Sequence, residues 1–200
     1  MSRLLPQSFF ARDALIVARG LLGKLVRRGP VTLRISETEA YRWPHDSANH
    51  CRMGRTPRNE PMWGPAGHAY VYLCFGLHHM LNVVTGAPGE GEAVLIRACE
   101  PISGLAQITA RRGGKRGPAL LTGPGKVGQA LAIDPSWSGH ALFRRGGLSL
   151  LDGETPARHL VGPRVGIDYA EPADRDAPWR FALADTPWVS RRSSLRVAQA

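Results

Sequence analysis

The stretch that most constrains the fold is residues 70–85, YVYLCFGLHHMLNVVT. Two runs rich in aromatic and β-branched residues flank Gly76-Leu77-His78-His79, which predicts a β-hairpin with glycine at the first turn position. Hairpin tips usually face water and carry small polar residues. This one carries Phe75 and Leu77 beside two histidines. An apolar wedge at the end of a protruding ribbon calls for a partner that receives it; the alternative is a tip folded back into the core.

Charge narrows the partner. The chain has 26 Lys and Arg against 16 Asp and Glu, a formal net charge of +10. Such a surplus attracts polyanions, nucleic acid first and an anionic membrane surface as the rival. The apolar run Ala14–Ala18 is followed by Arg19, Gly20, Gly23 and Lys24, too short and too interrupted to span a bilayer or to form a signal peptide. Cys51, Cys74 and Cys99 are an odd number at wide spacings, which suggests free thiols in a reducing compartment. The expectation is a cytoplasmic protein without secretion signal or membrane contact, nucleoid-associated if bacterial.

Two hundred residues suit one domain with a real core, taken as residues 1–200. Leu15, Val17, Ala18, Leu21, Leu22 and Leu25 recur at helical spacing and predict a helix from about Asp13 to Val26. VTLRISETEAY alternates as a half-buried strand. Residues 42–69 hold Pro44, Pro57, Pro61 and Pro65 and read as a long ordered loop. After the hairpin come a Gly/Pro turn, a strand AVLIRA, a short helix over Ile102–Ala110 and a basic loop RRGGKRGP. A second helix is expected from Lys126 through Ile133. Short strands follow at ALF, LSLLDG, RVGIDY, WRFALAD and PWVS. The fold class is α+β: one mostly antiparallel curved sheet with flanking helices and a protruding β-hairpin.

Several groups could carry chemistry. Glu37 and Glu39 end a strand, with Tyr41 and His50 following, which is raw material for general acid–base work. Taken alone, the plainer reading is that Glu37 and Glu39 are solvated strand-end charges paired with arginines. Arg97 interrupts an apolar strand and needs a carboxylate or phosphate partner if buried, Glu39 or Glu100 being the candidates. GPGK at Gly123–Lys126 is no phosphate-binding P-loop, since positions 120 and 127 hold Leu120 and Val127. Gly125 and Lys126 at a helix start could still take a backbone phosphate, or form an ordinary glycine turn. The histidines and cysteines lack the spacings of a zinc site, so no metal is expected.

Taken in order, ETEAY, the segment from His50 through Thr56-Pro57-Arg58-Asn59, YVYLCFG, Asn82, LIRACEP, GPGK and RVGIDY resemble the alkyladenine (3-methyladenine) DNA glycosylase family. The order and gaps match from Phe9-Phe10 to Pro187-Trp188-Val189. The resemblance implies a monofunctional, cofactor-free, monomeric enzyme that excises alkylated and deaminated purines from double-stranded DNA. It implies that Glu39 is the general base for water, oriented by Arg97, with the carbonyl of Val165 helping to hold that water. Tyr41, His50 and Tyr72 would sandwich the flipped base, and Asn82 would exclude guanine. Phe75 would be the intercalating residue where the family often has Tyr, which keeps the wedge and loses a hydroxyl. The loop before TPRN is one residue shorter than in some relatives.

That reading answers the hairpin's question: extruding a base costs a few kcal/mol of stacking, and an apolar wedge fills the gap. N-alkylated purines are cationic and leave easily, so electron-rich rings and one carboxylate can suffice. Two rivals remain, a minor-groove architectural protein and a folate-type formyl-transfer or RNA-binding relative. The first would share the basic surface and the wedge but would not need Glu39, Arg97 and the aromatic trio together; the second would be identified by binding a one-carbon cofactor.

Overall fold

A computed structural model describes residues 3–198. The chain opens with one helical turn, α1 (Gln7–Phe10), and then α2 (Ala14–Leu21). Asp13 caps α2 by accepting a hydrogen bond from the Leu15 amide at 2.8 Å. The helix ends five residues before the leucine periodicity predicts. Gly23 takes φ +79°, and a Cβ there would lie 2.1 Å from the Glu154 carbonyl. Beyond it, Leu25–Arg28 form strand β1 rather than a last helical turn.

The sheet is built on two long strands, β2 (Val31–Tyr41) and β5 (Glu92–Ser103), paired antiparallel. The hairpin β3 (Ala69–Cys74) and β4 (His78–Thr85) joins the free edge of β5. On the other side of β2 lie β8 (Arg180–Leu183), β7 (His159–Gly162) and the short β9 (Arg196–Val197), while β1 bridges β2 to β6 (Leu148–Leu151). Every strand pairing is antiparallel. Register shifts near Leu33 and Glu37 mark bulges in the β2–β5 ladder, which bend the sheet.

Other boundaries also differ from expectation. β5 runs on to Ser103, so the next helix, α3, spans Leu105–Arg111 after Gly104 at φ +77°. α4 (Pro124–Leu131) starts two residues early because Pro124 suits a first helical turn. LSLLDG and WRFALAD contain β6 and β8, but ALF, RVGIDY and PWVS are not strands. β7 and β9 arise instead where no alternation announced them. A last helical turn, α5 (Pro172–Arg175), precedes β8.

α2 and α4 cover the sheet with an apolar core that includes Phe10, Val17, Leu21, Leu33, Ile35, Ile96 and Val127. α4 lies unusually close to the hairpin. A Cβ on Gly128 would come within 2.0 Å of the His79 carbonyl, and one on Gly125 within 2.7 Å of His78. These two glycines hold α4 directly beneath the start of β4.

Candidate active site

Between the hairpin, the loop of residues 42–68 and the segment 165–169 lies a cavity of about 510 Å³. Its walls include Tyr41, His50, Tyr72, Asn82, Arg97 and Val165, six residues that the sequence reading groups together. They come from five separate parts of the chain: β2, the long loop, the hairpin, β5 and the loop after β7. Phe75 stands at the rim.

Beneath the cavity sits a buried charge cluster. Glu37 and Glu39 are both 0% exposed, so neither is a solvated strand-end charge. Glu39 Oε1 accepts the Val165 amide at 2.9 Å, and Oε2 accepts the Tyr41 hydroxyl at 3.0 Å. Arg97 Nη1 approaches Glu39 at 3.4 Å, and its Nε lies 3.3 Å from Glu37 and donates to Ser190 Oγ at 3.1 Å. The partners of Arg97 are therefore the two strand carboxylates; Glu100 pairs with Arg34 instead, at 2.5 Å.

Glu37 is the hub on the far side from the cavity. It accepts from Arg180 Nη1 at 2.9 Å, from the Ser190 amide at 2.7 Å and from the Ser190 hydroxyl at 3.0 Å. Burial pushes its carboxyl above the usual range, and Arg97, the Ser190 amide and Arg180 pull it back. Two carboxylates and two guanidiniums thus neutralise one another away from water. Such a cluster is costly to bury and is held only because each member is hydrogen-bonded.

The aromatic rings of the cavity walls are uncharged, while Arg58 and Arg97 also line it. Burial, with Arg58 and Arg52 nearby, lowers the His50 imidazole to about 4, so it is neutral near pH 7. Its Nδ1 lies 3.0 Å from the Tyr70 hydroxyl, which burial raises to about 12. Burial likewise raises Tyr41 and Tyr72. The His50 and Tyr72 rings meet edge to face with centroids 4.6 Å apart. Tyr41 rests on Arg164, whose guanidinium lies 4.7 Å from the ring centroid while both its amino groups grip Asp46, at 2.6 and 2.8 Å. A cationic, flat, aromatic ligand would meet electron-rich rings there without competing positive charge on His50. Asn82 donates its amide to the carbonyls of Tyr70 and Met80, at 3.1 and 3.3 Å, so its side chain is fixed at the wall.

The hairpin tip differs slightly from the expected turn. The loop is Phe75-Gly76-Leu77, and Phe75 and Gly76 both take positive φ, +50° and +68°. For an aromatic residue this conformation is strained, by roughly 1–3 kcal/mol. Phe75 is 92% exposed and Leu77 78%, which excludes a tip folded into the core. Gly125 and Lys126 lie outside the cavity; Gly125 is buried under His78, and Lys126 is half-buried.

Sequence reasoning missed several contributors. Tyr70 alternates with Tyr72 in YVY, and that spacing was the available signal. Arg164 and Tyr169 flank Val165 in RVGIDY without any pattern that marks them. Ser190 and Arg180 reach Glu37 only through the tertiary fold. Among the described residues, no three His, Cys, Asp or Glu side chains converge as a metal site would need. No helix among them is long and apolar enough to cross a membrane.

The chain is similar to known proteins along nearly its whole length. A protein of Nitrosococcus oceani with the provisional name 3-methyladenine DNA glycosylase is 60% identical over 199 residues, covering 100% of this chain and 99% of that one. DNA-3-methyladenine glycosylase of Arabidopsis thaliana is 60% identical over 190 residues, covering 94% of this chain and 74% of its own. A Carboxydothermus hydrogenoformans protein, with the same provisional name as the first, is 48% identical over 195 residues, covering 94% and 100%. The sequence profile of methylpurine-DNA glycosylase (MPG) matches residues 8–187. With its hairpin, aromatic cavity and buried carboxylates, the chain belongs to the methylpurine-DNA glycosylase family.

Proposed function

We propose that this protein is a monofunctional DNA glycosylase that flips alkylated or deaminated purines, of the 3-methyladenine and hypoxanthine class, out of duplex DNA and hydrolyses their N-glycosidic bond. The observation that carries this reading is the Glu39 carboxylate, hydrogen-bonded behind an aromatic cavity whose rim bears an exposed Phe75. A module that only bound or bent DNA would gain nothing from burying four charges beneath such a cavity.

Phe75 enters the stack from the minor groove and holds the extruded nucleotide out. The purine lies among Tyr41, His50 and Tyr72, which favour the positive charge of an N-alkylated ring. Glu39 Oε2 accepts one bond from Tyr41 and keeps a second lone pair for water. Water adds to C1′ as the C1′–N9 bond breaks. The bonding pair leaves with the purine, and the water proton passes to Glu39. Arg97 holds the carboxylate in place, and the Val165 segment, tied to Glu39 by its amide, closes the same corner. Among the described residues the cavity lining includes no lysine that could form a Schiff base, so the reading is base release without strand cleavage.

The test is release of free 3-methyladenine, with matching abasic sites, from dimethyl-sulfate-treated duplex DNA, followed by the same assay on a hypoxanthine duplex. Glu39→Gln should lower single-turnover excision by about 10²–10⁴ while leaving binding to damaged DNA nearly intact. A wild-type protein that leaves no abasic sites would end this reading, and a Glu39→Gln rate within threefold of wild type would remove Glu39 as the base.

A further inference from the structure

Half of the net charge is concentrated in one stretch. Residues 101–133 contain Arg111, Arg112, Lys115, Arg116 and Lys126 and no Asp or Glu, five charges of the net +10. After the end of β5 this stretch folds as α3, a loop and α4, and α4 packs against the hairpin. Between them runs a second cleft of about 430 Å³, lined by Leu77, His78 and His79 from the hairpin and by Arg111, Gly125 and Gln129 from the helices.

The cations of this stretch divide into two kinds, and of them Arg111 lines the cleft itself. Arg111 donates to the Ala130 carbonyl at 2.6 Å, and Arg112 to the Leu120 carbonyl at 2.9 Å, so both brace the helices. Lys115, Arg116 and Lys126 make no ion pair or side-chain hydrogen bond among the described residues, and Lys115 and Arg116 are exposed. Burial and the neighbouring Arg112 both disfavour the charge on Lys126, a strain that an anion would relieve. The nearest acid in sequence, Asp134, is turned to the Ser136 amide at 2.9 Å.

The two clefts lie on opposite sides of one wall. Pro124 lines the aromatic cavity and Gly125 the second cleft, and above them the hairpin tip places Phe75 on the first side and Leu77 on the second. A wedge entering the minor groove occupies the place the flipped base has left, so the two strands must pass on either side of it. The strand that sends its base into the aromatic cavity runs over that side. The intact strand is left with the other.

We propose that the second cleft, together with the α3–α4 loop bearing Lys115 and Arg116 and the start of α4 bearing Lys126, binds backbone phosphates of the strand complementary to the damaged one. The inference rests on the glycosylase reading above and adds to it a division of labour between strands. It gives the unpaired cations of this stretch a ligand, as the damaged strand would give one to Arg58, the exposed cation at the aromatic cavity.

The experiment uses a duplex with a reduced abasic-site analogue, the matching single strand, and versions of the duplex with uncharged methylphosphonate linkages in one strand or the other. Lys115→Ala/Arg116→Ala changes two exposed loop residues outside the catalytic cavity. Its salt slope on duplex should fall by about two units, one per cation removed. Binding to the single analogue-bearing strand should not change. Methylphosphonates in the complementary strand should weaken wild type and have little further effect on the double variant; placed in the damaged strand, they should weaken both alike. An unchanged slope would overturn the proposal, as would a loss on single strand equal to that on duplex, or coupling to the damaged strand. Release of 3-methyladenine from methylated DNA by wild type is measured in parallel. If there is none, the glycosylase reading fails; if release is normal but binding ignores the complementary strand's charge, only the cleft assignment fails.

Discussion

Glu37→Gln separates the buried cluster's structural role from its chemical one. The substitution keeps the shape of the side chain and removes its charge. Arg180 and Arg97 then share a single carboxylate, Glu39, which is 3.4 Å from Arg97. A glutamine also cannot accept from both donors that Glu37 now satisfies, the Ser190 amide at 2.7 Å and Arg180 at 2.9 Å, without turning its NH₂ group toward one of them. Removing one partner of a buried ion pair costs about 3–5 kcal/mol. At about 2–4 °C per kcal/mol for a domain of this size, thermal unfolding should shift down by roughly 6–20 °C. Excision measured well below that midpoint should fall much less than in Glu39→Gln, because Arg97 keeps Ser190 and Glu39. The paired change Glu37→Gln/Arg180→Met removes both charges and should recover part of the lost stability. Calorimetry of the three variants, with single-turnover excision at 20 °C or another temperature about that far below unfolding, reads both effects. A Glu37→Gln protein that unfolds with wild type would refute the hub. A fully folded Glu37→Gln protein as inactive as Glu39→Gln would mean that the wrong carboxylate has been named as the base.

Other consequences follow from the same geometry. Phe75→Ala should depress excision from duplex more than from single strand, since only in duplex must the extruded base compete with restacking, and Phe75→Tyr should be nearly neutral; equal losses on both substrates would make Phe75 a support of the pocket. Asn82→Ser should raise release of undamaged guanine, because the rigid amide tied to Tyr70 and Met80 is removed from the wall; guanine release at the wild-type background would show that exclusion lies elsewhere. His50 is lowered to about 4 from an ordinary 6.5, so between these values the unfolded chain holds the extra proton. Its contribution is therefore fully present above pH 6.5 and is lost as the pH falls toward 4, by up to about 3 kcal/mol. Urea unfolding at pH 7 and pH 4.5 should show that loss in wild type and much less in His50→Gln; the same loss in both proteins would assign the acid sensitivity to other groups.

The local features of this chain were legible because each rests on neighbours in sequence. Alternation of apolar and polar residues marked β2, and the aromatic runs around Gly76 marked the hairpin. Proline density marked residues 42–69 as a long ordered loop, of which the structure gives only Ala69 to β3. Where two structures suit one pattern, legibility ended. Leu25 and Val26 fit the last turn of a helix as well as they fit β1, and the close approach of Gly23 to the Glu154 backbone, 131 residues away by sequence number, made the choice. RVGIDY alternates as a strand does, yet it serves as a loop because the Val165 amide is taken by Glu39 rather than by a ladder partner.

The site divides in the same way. Residue types that can stack on a base, wedge a duplex and activate water are all visible in the sequence, and their order suffices for the family. Whether Glu37 and Glu39 are solvated charges or a buried cluster is not visible there. That depends on Arg180, 143 residues from Glu37, and on Ser190, 153 residues away. A carboxylate's environment is set by what surrounds it in space, and desolvation and pairing act over a few ångströms regardless of chain separation. The sequence could therefore name the chemical groups, while only the folded sheet could decide which of them meet water and which meet one another.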